Sequence, residues 1–369
     1  MRYDWHMLQA PFFDPAKTYY ENWEEGPFHG FADGVLLPVG EPRFEFLGRK
    51  LSYPFGIPAG PLLNAKFMRA AMEKGYDVPV YKTVRTRIKK ANEWPNVLPV
   101  EVEGELTLEK AKQGLVVKKD YTEPLAITNS FGNPSYPVEV WQKDIADLVE
   151  WAKDRRGQIV CGMVEGTHWT KEDSEQDFID DWVLASQLMQ ETGAHAIEAN
   201  FSCPNEGDLV KRLLCFDDEK SQKIADAMKK KIGDLPLVVK ISHFDSEEEL
   251  RSFVQKVGGI VEGISAINTI PAPVRKQDGS QALPGGEWRL KSGICGAPIK
   301  WAGIDMVRRL KKLREEFGMK FAIIGVGGVT TPKDFKEYRD AGADVVMSAT
   351  GAMWNPYLVK EIKEAYPDA

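Results

Sequence analysis

Metal ligands are scarce in this chain. Its four cysteines, Cys161, Cys203, Cys215 and Cys295, contain no CxxC spacing, which excludes the usual iron–sulfur and zinc-ribbon frameworks. The five histidines form no HExxH or comparable ligand pattern, so no metal site is expected. No apolar run approaches the roughly 18 residues that a membrane-spanning helix needs. The opening Met1-Arg2-Tyr3-Asp4 is unlike a secretory signal. A cytoplasmic protein with reduced thiols is therefore expected. Basic excess is absent as well, because 48 Lys and Arg stand against 55 Asp and Glu for a net charge of −7. That balance argues against a nucleic-acid surface, which needs clustered cations for the phosphates. Small-molecule chemistry is the class that survives.

What the chain does have is an alternation of strand-like and helix-like segments. Short apolar, partly β-branched runs occur at Phe55–Ala59, Pro79–Val84, Gln158–Glu165, His195–Asn200, Leu237–Ile241, Gly263–Asn268, Phe321–Gly325 and Ala343–Ser348. Helical patterns separate them at Lys66–Lys74, Val138–Asp154, Asp173–Glu191, Asp218–Lys231, Ser246–Val257, Asp305–Phe317 and Pro332–Ala341. Eight strands in βα alternation predict an α/β fold, a closed parallel (β/α)8 TIM barrel. Residues 1–50, rich in aromatics but interrupted by Pro and Gly, read as an N-terminal arm, and residues 51–369 as the barrel. The arm is expected either to wrap on the barrel or to offer its aromatics to a membrane or partner surface. Connections 88–127 and 269–302 exceed minimal turns and leave from C-terminal strand ends, where such insertions usually carry function.

In such barrels the chemistry sits at the C-terminal rim. The predicted strands present there Ala59-Gly60, Lys82-Thr83, Glu165-Gly166, Asn200, Lys240, Asn268-Thr269, Gly325-Val326-Gly327-Gly328 and Ser348-Ala349-Thr350-Gly351, with Asn129-Ser130-Phe131-Gly132-Asn133 following the first insertion. A Lys near a strand end ordinarily snorkels to water and an Asn ordinarily caps a turn. Their concentration at one rim points instead to a site. Glycine-rich loops after the last two strands are where barrels hold phosphate. Asparagine offers both a donor and an acceptor, which suits a ring of alternating C=O and N–H groups. Together these features imply a phosphorylated cofactor lying under a flat polar substrate. Cys203, on a loop over that site, is a candidate base, whereas Cys161, Cys215 and Cys295 read as small buried hydrophobes. His195 is expected to open a strand, and His243 either to line the rim or to be structural.

The hexapeptide Asn200-Phe201-Ser202-Cys203-Pro204-Asn205 resembles the N-x-S-C/S-P-N loop of the dihydroorotate dehydrogenase family, FMN-dependent (β/α)8 barrels, and the resemblance runs from about Phe44 to the C-terminus. Cysteine in the loop is similar to the soluble class 1 enzymes. The lead-in Phe44–Leu51 looks more like the membrane-associated class, and Ala91-Asn92-Glu93-Trp94-Pro95-Asn96 departs from the family's usual stretch.

The resemblance implies roles for individual residues. Cys203 would remove the C5 proton of dihydroorotate while the C6 hydride passes to flavin N5. Asn129, Asn200, Asn205, Asn268 and Thr269 would hydrogen-bond the pyrimidine and its carboxylate, with Phe131, Gly132 and Asn133 closing one side. Lys82 would serve both substrate and flavin, with a part in catalysis. Lys240 would lie near flavin N1/O2. Ala59, Gly60, Thr83, Ile267, Gly296, Gly327, Gly328, Ala349 and Thr350 would hold FMN and its phosphate, with Asn129 and Asn200 also near the cofactor. The electron acceptor is left open among fumarate, a quinone and a partner protein, and a homodimer is implied by resemblance alone. Alternatives are a flavoenzyme for another dihydropyrimidine of the uracil or thymine type, a flavin-free phosphate-binding barrel, and a non-catalytic FMN-binding protein. Asn205, where dihydropyrimidine enzymes usually have His, favours orotate.

Overall fold

The structure, a computed structural model, describes residues 8–202 and 213–369. Eight parallel strands close into a barrel: Phe55–Ile57, Val78–Val84, Cys161–Val164, Ala196–Asn200, Leu237–Ile241, Gly263–Ala266, Ala322–Val326 and Val345–Met347. Each pairs with its neighbours in sequence order, and the eighth pairs with the first. The strands are apolar almost throughout because both of their faces are covered, one by the barrel interior and one by helices. Register carries polar side chains to the same height. Asn200 lies opposite Lys240, and Lys240 opposite Ser265.

The surrounding helices begin where the sequence offers caps. Ser174 and Asp177 form a reciprocal capping box before Glu175–Glu191, and Thr331 with Asp334 does the same before Pro332–Ala341. One helix differs from expectation: Lys300–Glu316 starts ahead of Asp305. Pro298 and Gly296 end the preceding strand and the chain turns directly into that helix. Two further helices, Thr350–Trp354 and Leu358–Ala365, follow the eighth strand. Among the described residues no helix is long and apolar enough to cross a membrane.

The two long connections are not irregular. They build a four-stranded sheet in the order Leu115–Val116, Ile270–Arg275, Lys291–Gly296, Ala126–Asn129, which roofs one side of the C-terminal rim. Arg289 secures it from inside, donating to the carbonyls of Glu93 at 2.8 Å, Pro95 at 3.2 Å and Ser130 at 3.3 Å. In the described part of the N-terminal arm Phe12, Phe13, Tyr19 and Phe31 turn inward, whereas Tyr20 is exposed. Phe12 stacks on Phe31 with centroids 3.9 Å apart, and Phe13 meets Phe131 edge-on at 5.5 Å. The Trp94 indole donates to Pro15 O at 3.1 Å, tying the first insertion to the arm. At the other end, the hairpin of Phe44–Phe46 and Arg49–Leu51 plugs the barrel, with Phe46 and Leu51 buried against Val78, Val80, Ile159 and Met347.

Candidate active site

A cavity of about 980 Å³, counting its open mouth, lies at the C-terminal ends of the strands. Ala59, Gly60, Lys82, Thr83, Asn129, Phe131, Asn133, Asn200, Lys240, Ile267, Asn268, Thr269, Gly296, Gly327, Gly328, Ala349 and Thr350 all line it. Gly132 does not. It turns at φ +75°, and a Cβ there would collide with the Asn92 side chain at 2.6 Å. Cys203 and Asn205 lie outside the described residues.

The polar wall is a connected network. Lys82 Nζ donates to Asn133 Oδ1 at 3.0 Å. The Nδ2 groups of Asn133 and Asn200 both donate to Glu165 Oε2, at 2.6 and 2.8 Å. Asn268 Nδ2 donates to Ser202 O and Oγ, each at 3.1 Å. Thr269 Oγ1 is buried with no hydrogen-bond partner among the described residues. A buried hydroxyl without a partner loses free energy unless a ligand or water completes it.

The floor carries a buried ionisable group. Lys240 Nζ donates to Ser265 Oγ at 3.2 Å. Burial lowers the Lys240 pKa, opposed by the attraction of Glu198 one strand away. Burial likewise raises Glu198, opposed by Lys240 and the Ser265 hydroxyl nearby. Desolvation thus works against charge on both members, and each opposes that loss in the other. Cys295 differs from the buried-thiol expectation, because part of it faces the cavity. The protein packed around it still pushes its thiol up to about 12. It therefore stays protonated at neutral pH and is a poor base. Cys161 and Cys215 are buried as expected.

At the far side, Gly328 adopts φ +67°, and a Cβ would meet the Lys300 backbone at 2.7 Å. Only glycine fits that approach. The Tyr338 hydroxyl, fully buried, donates to Gly327 O at 2.6 Å and fixes the loop from behind. His243 is not in the cavity. Its ring contacts Asp305 at 3.1 Å and packs against Trp301. His195 precedes the fourth strand, where its Nδ1 accepts from Val160 N at 3.0 Å, and burial lowers its pKa to about 4.

Sequence reasoning gave no role to several lining residues. Phe13 comes from the arm, and no local pattern placed it near the rim. Met163, Val97 and Ile127 supply apolar walls. Glu165 was visible as a polar strand end, but its partners, Arg85, Asn133 and Asn200, come from three other segments.

A parallel (β/α)8 barrel with a glycine-rich loop after strand seven and a polar, lysine-bearing mouth defines a class of cofactor-binding barrel enzymes. The profile of the family described as dihydroorotate dehydrogenase matches residues 118–368. The chain is 35% identical over 366 residues to the dihydroorotate dehydrogenase of Dictyostelium discoideum, covering 95% of this chain and 96% of the relative. It is 27% identical over 326 residues to a subunit of the NAD-dependent dihydropyrimidine dehydrogenase of Escherichia coli K12, covering 86% and 69%. The quinone dihydroorotate dehydrogenase of Shewanella oneidensis is 25% identical over 351 residues, covering 92% and 90%. The chain belongs to the dihydroorotate dehydrogenase family, flavin-dependent oxidoreductases acting on a CH–CH bond.

Proposed function

We propose that this chain oxidises dihydroorotate to orotate, with FMN as its flavin and Cys203 as the base. The observation that carries this reading is the convergence of Lys82, Asn129, Asn133, Asn200, Asn268 and Thr269 on one cavity whose floor bears Lys240. The residues present suit FMN. Gly60 leaves open space where a side chain would stand, the Gly327-Gly328 turn admits close backbone approach, and Thr269 Oγ1 is a buried hydroxyl awaiting a partner. Gly327, Gly328, Ala349 and Thr350 would hold the phosphate, with Ala59, Gly60, Thr83, Ile267 and Gly296 around the rest. FMN, when bound, supplies the hydride acceptor at N5 and passes the electron pair to an external oxidant.

The protein's own part is to bind, orient and take a proton. The carboxamides of Asn129, Asn200, Asn205 and Asn268 hold the pyrimidine ring flat by hydrogen bonds to its C=O and N–H groups. Lys82 attracts the substrate carboxylate through a charge-assisted hydrogen bond. The Cys203 thiolate accepts the C5 proton as the C6 hydride departs, so the C5–C6 bond becomes double and charge balances. An ordinary thiol has a pKa of about 8.5, so activity should rise toward mildly alkaline pH. Lys240 places a cation at the floor, where it favours added negative charge on the bound ring.

The test is anaerobic. The purified protein is expected to be yellow and to lose its flavin colour on adding dihydroorotate, with orotate formed in equal amount. Bleaching by dihydrouracil but not by dihydroorotate would move the substrate to the other dihydropyrimidine class. A colourless protein that takes up no FMN would exclude both.

A further inference from the structure

One buried carboxyl in the barrel interior has no part in the chemistry just described. Glu198 stands in the middle of the fourth strand and is 2% exposed. A carboxyl buried in an apolar core ordinarily has a hydrogen-bond partner. Both Glu198 oxygens are buried with none among the described residues. They border a small cavity of about 230 Å³, counting its opening, walled by Phe46, Val78, Val80, Ile159 and Met347. An apolar side chain would suit that setting at lower cost.

The layer above Glu198 gives the acid a use. Side chains at alternate positions of a strand share one face. Glu198 opposes Met163 on one side and Val238 on the other, and Asn200, two residues on, opposes Lys240. Asn200 and Lys240 line the large cavity, so Glu198 points into the same barrel interior one layer lower, roughly 7 Å along the strand. Ser265 Oγ accepts from Lys240 Nζ at 3.2 Å and is also near Glu198. The Cys161 thiol, another neighbour, is raised by its own burial and by Glu198, so it brings no charge. Lys240 is the cation that Glu198 faces. Charges in a protein interior persist chiefly where they are paired.

We propose that Glu198 is the counter-charge of Lys240 and, acting through it, a positioning residue that sets how readily the bound flavin accepts a hydride. This rests on the flavin reading above. A hydride leaves one negative charge on the ring, and a cation at the floor favours that charge. A carboxylate beneath the cation offsets part of its field. The reduced flavin is then held less tightly in that state, and its electron pair can pass to the external oxidant.

The test is the reduction equilibrium of FMN in the loaded protein, read by absorbance against a two-electron dye of known potential and without substrate. Glu198→Gln keeps the shape and removes the charge. It is expected to shift the equilibrium toward reduced flavin by about tenfold, the effect of one unit charge roughly 10 Å away in a protein interior, which is about 30 mV for a two-electron couple. Glu198→Leu also removes the charge and should shift it equally. Glu198→Asp keeps the charge and should stay close to wild type. An unchanged equilibrium in Glu198→Gln, a shift in only one neutral variant, or an equal shift in Glu198→Asp would overturn the proposal, since the order would then follow shape rather than charge. Loss of FMN from both neutral variants would overturn it too, by making Glu198 a structural residue. Wild type that takes up no FMN would instead remove the flavin reading on which the proposal stands.

Discussion

The two ends of this barrel bury polar groups to opposite effect. At the N-terminal end, the Asp77 carboxylate takes the backbone N–H of Tyr53 and, at 3.4 Å, the side chain of Gln158. The same Gln158 amide donates to Met72 O at 2.9 Å and Tyr76 O at 3.0 Å. These bonds close within the protein, over a hairpin that plugs the barrel, although both carboxylate oxygens of Glu198 beside that hairpin lack a hydrogen-bond partner among the described residues. At the C-terminal end the polar groups stand around open space, and Thr269 Oγ1 has no partner among the described residues. One end spends its hydrogen bonds on the fold, and the other leaves capacity for a ligand. Substitutions at the two ends should therefore separate activity from stability.

The largest expected effect is at the C-terminal end. Cys203→Ala should slow anaerobic flavin bleaching by dihydroorotate about 10²- to 10⁴-fold, the usual range for removing a general base, while FMN stays bound and the melting temperature is unchanged. Loss of FMN along with activity would make that loop structural and blur the contrast.

At the N-terminal end the effect should appear in stability alone. Burial raises the Asp77 pKa to about 7 from an ordinary 3.8, against the pull of Lys363. A carboxyl with a raised pKa in the folded state binds its proton more tightly there than in the unfolded chain. Its contribution is thus present below about pH 4 and is lost as pH climbs toward 7, on the order of 4 kcal/mol. Asp77→Asn should flatten that part of the stability–pH profile measured by denaturant unfolding, with flavin bleaching unaltered. A profile equally steep in the variant would mean that other groups carry the titration.

The barrel was legible from sequence because its eight strands are nearly continuous apolar runs between capped helices, and both signals are local. The roof sheet was not. Pro271 and Pro273 interrupt a strand pattern, and the alternation Ile270, Ala272, Val274 was masked by the length of the connection, although those three are the buried positions. At the site, lysines, asparagines and glycines at strand ends could be gathered by assuming a common rim. Gly132, whose role the resemblance implied, does not line the cavity, and its turn packs on Asn92. Phe13 and the contacts of Glu165 were out of reach for a different reason. Each depends on contacts between segments far apart in the chain, Phe13 with Phe131 and Glu165 with Arg85, Asn133 and Asn200.

The central claim, that the open C-terminal cavity holds the substrate by its carboxylate and ring edges, is tested most directly at Lys82. An absorbance titration of FMN-loaded Lys82→Met with orotate should show affinity reduced about ten- to a hundredfold, the loss of one charge-assisted hydrogen bond, with FMN still bound. Orotate affinity equal to that of wild type would contradict the account, because the ligand would then lie somewhere Lys82 does not reach.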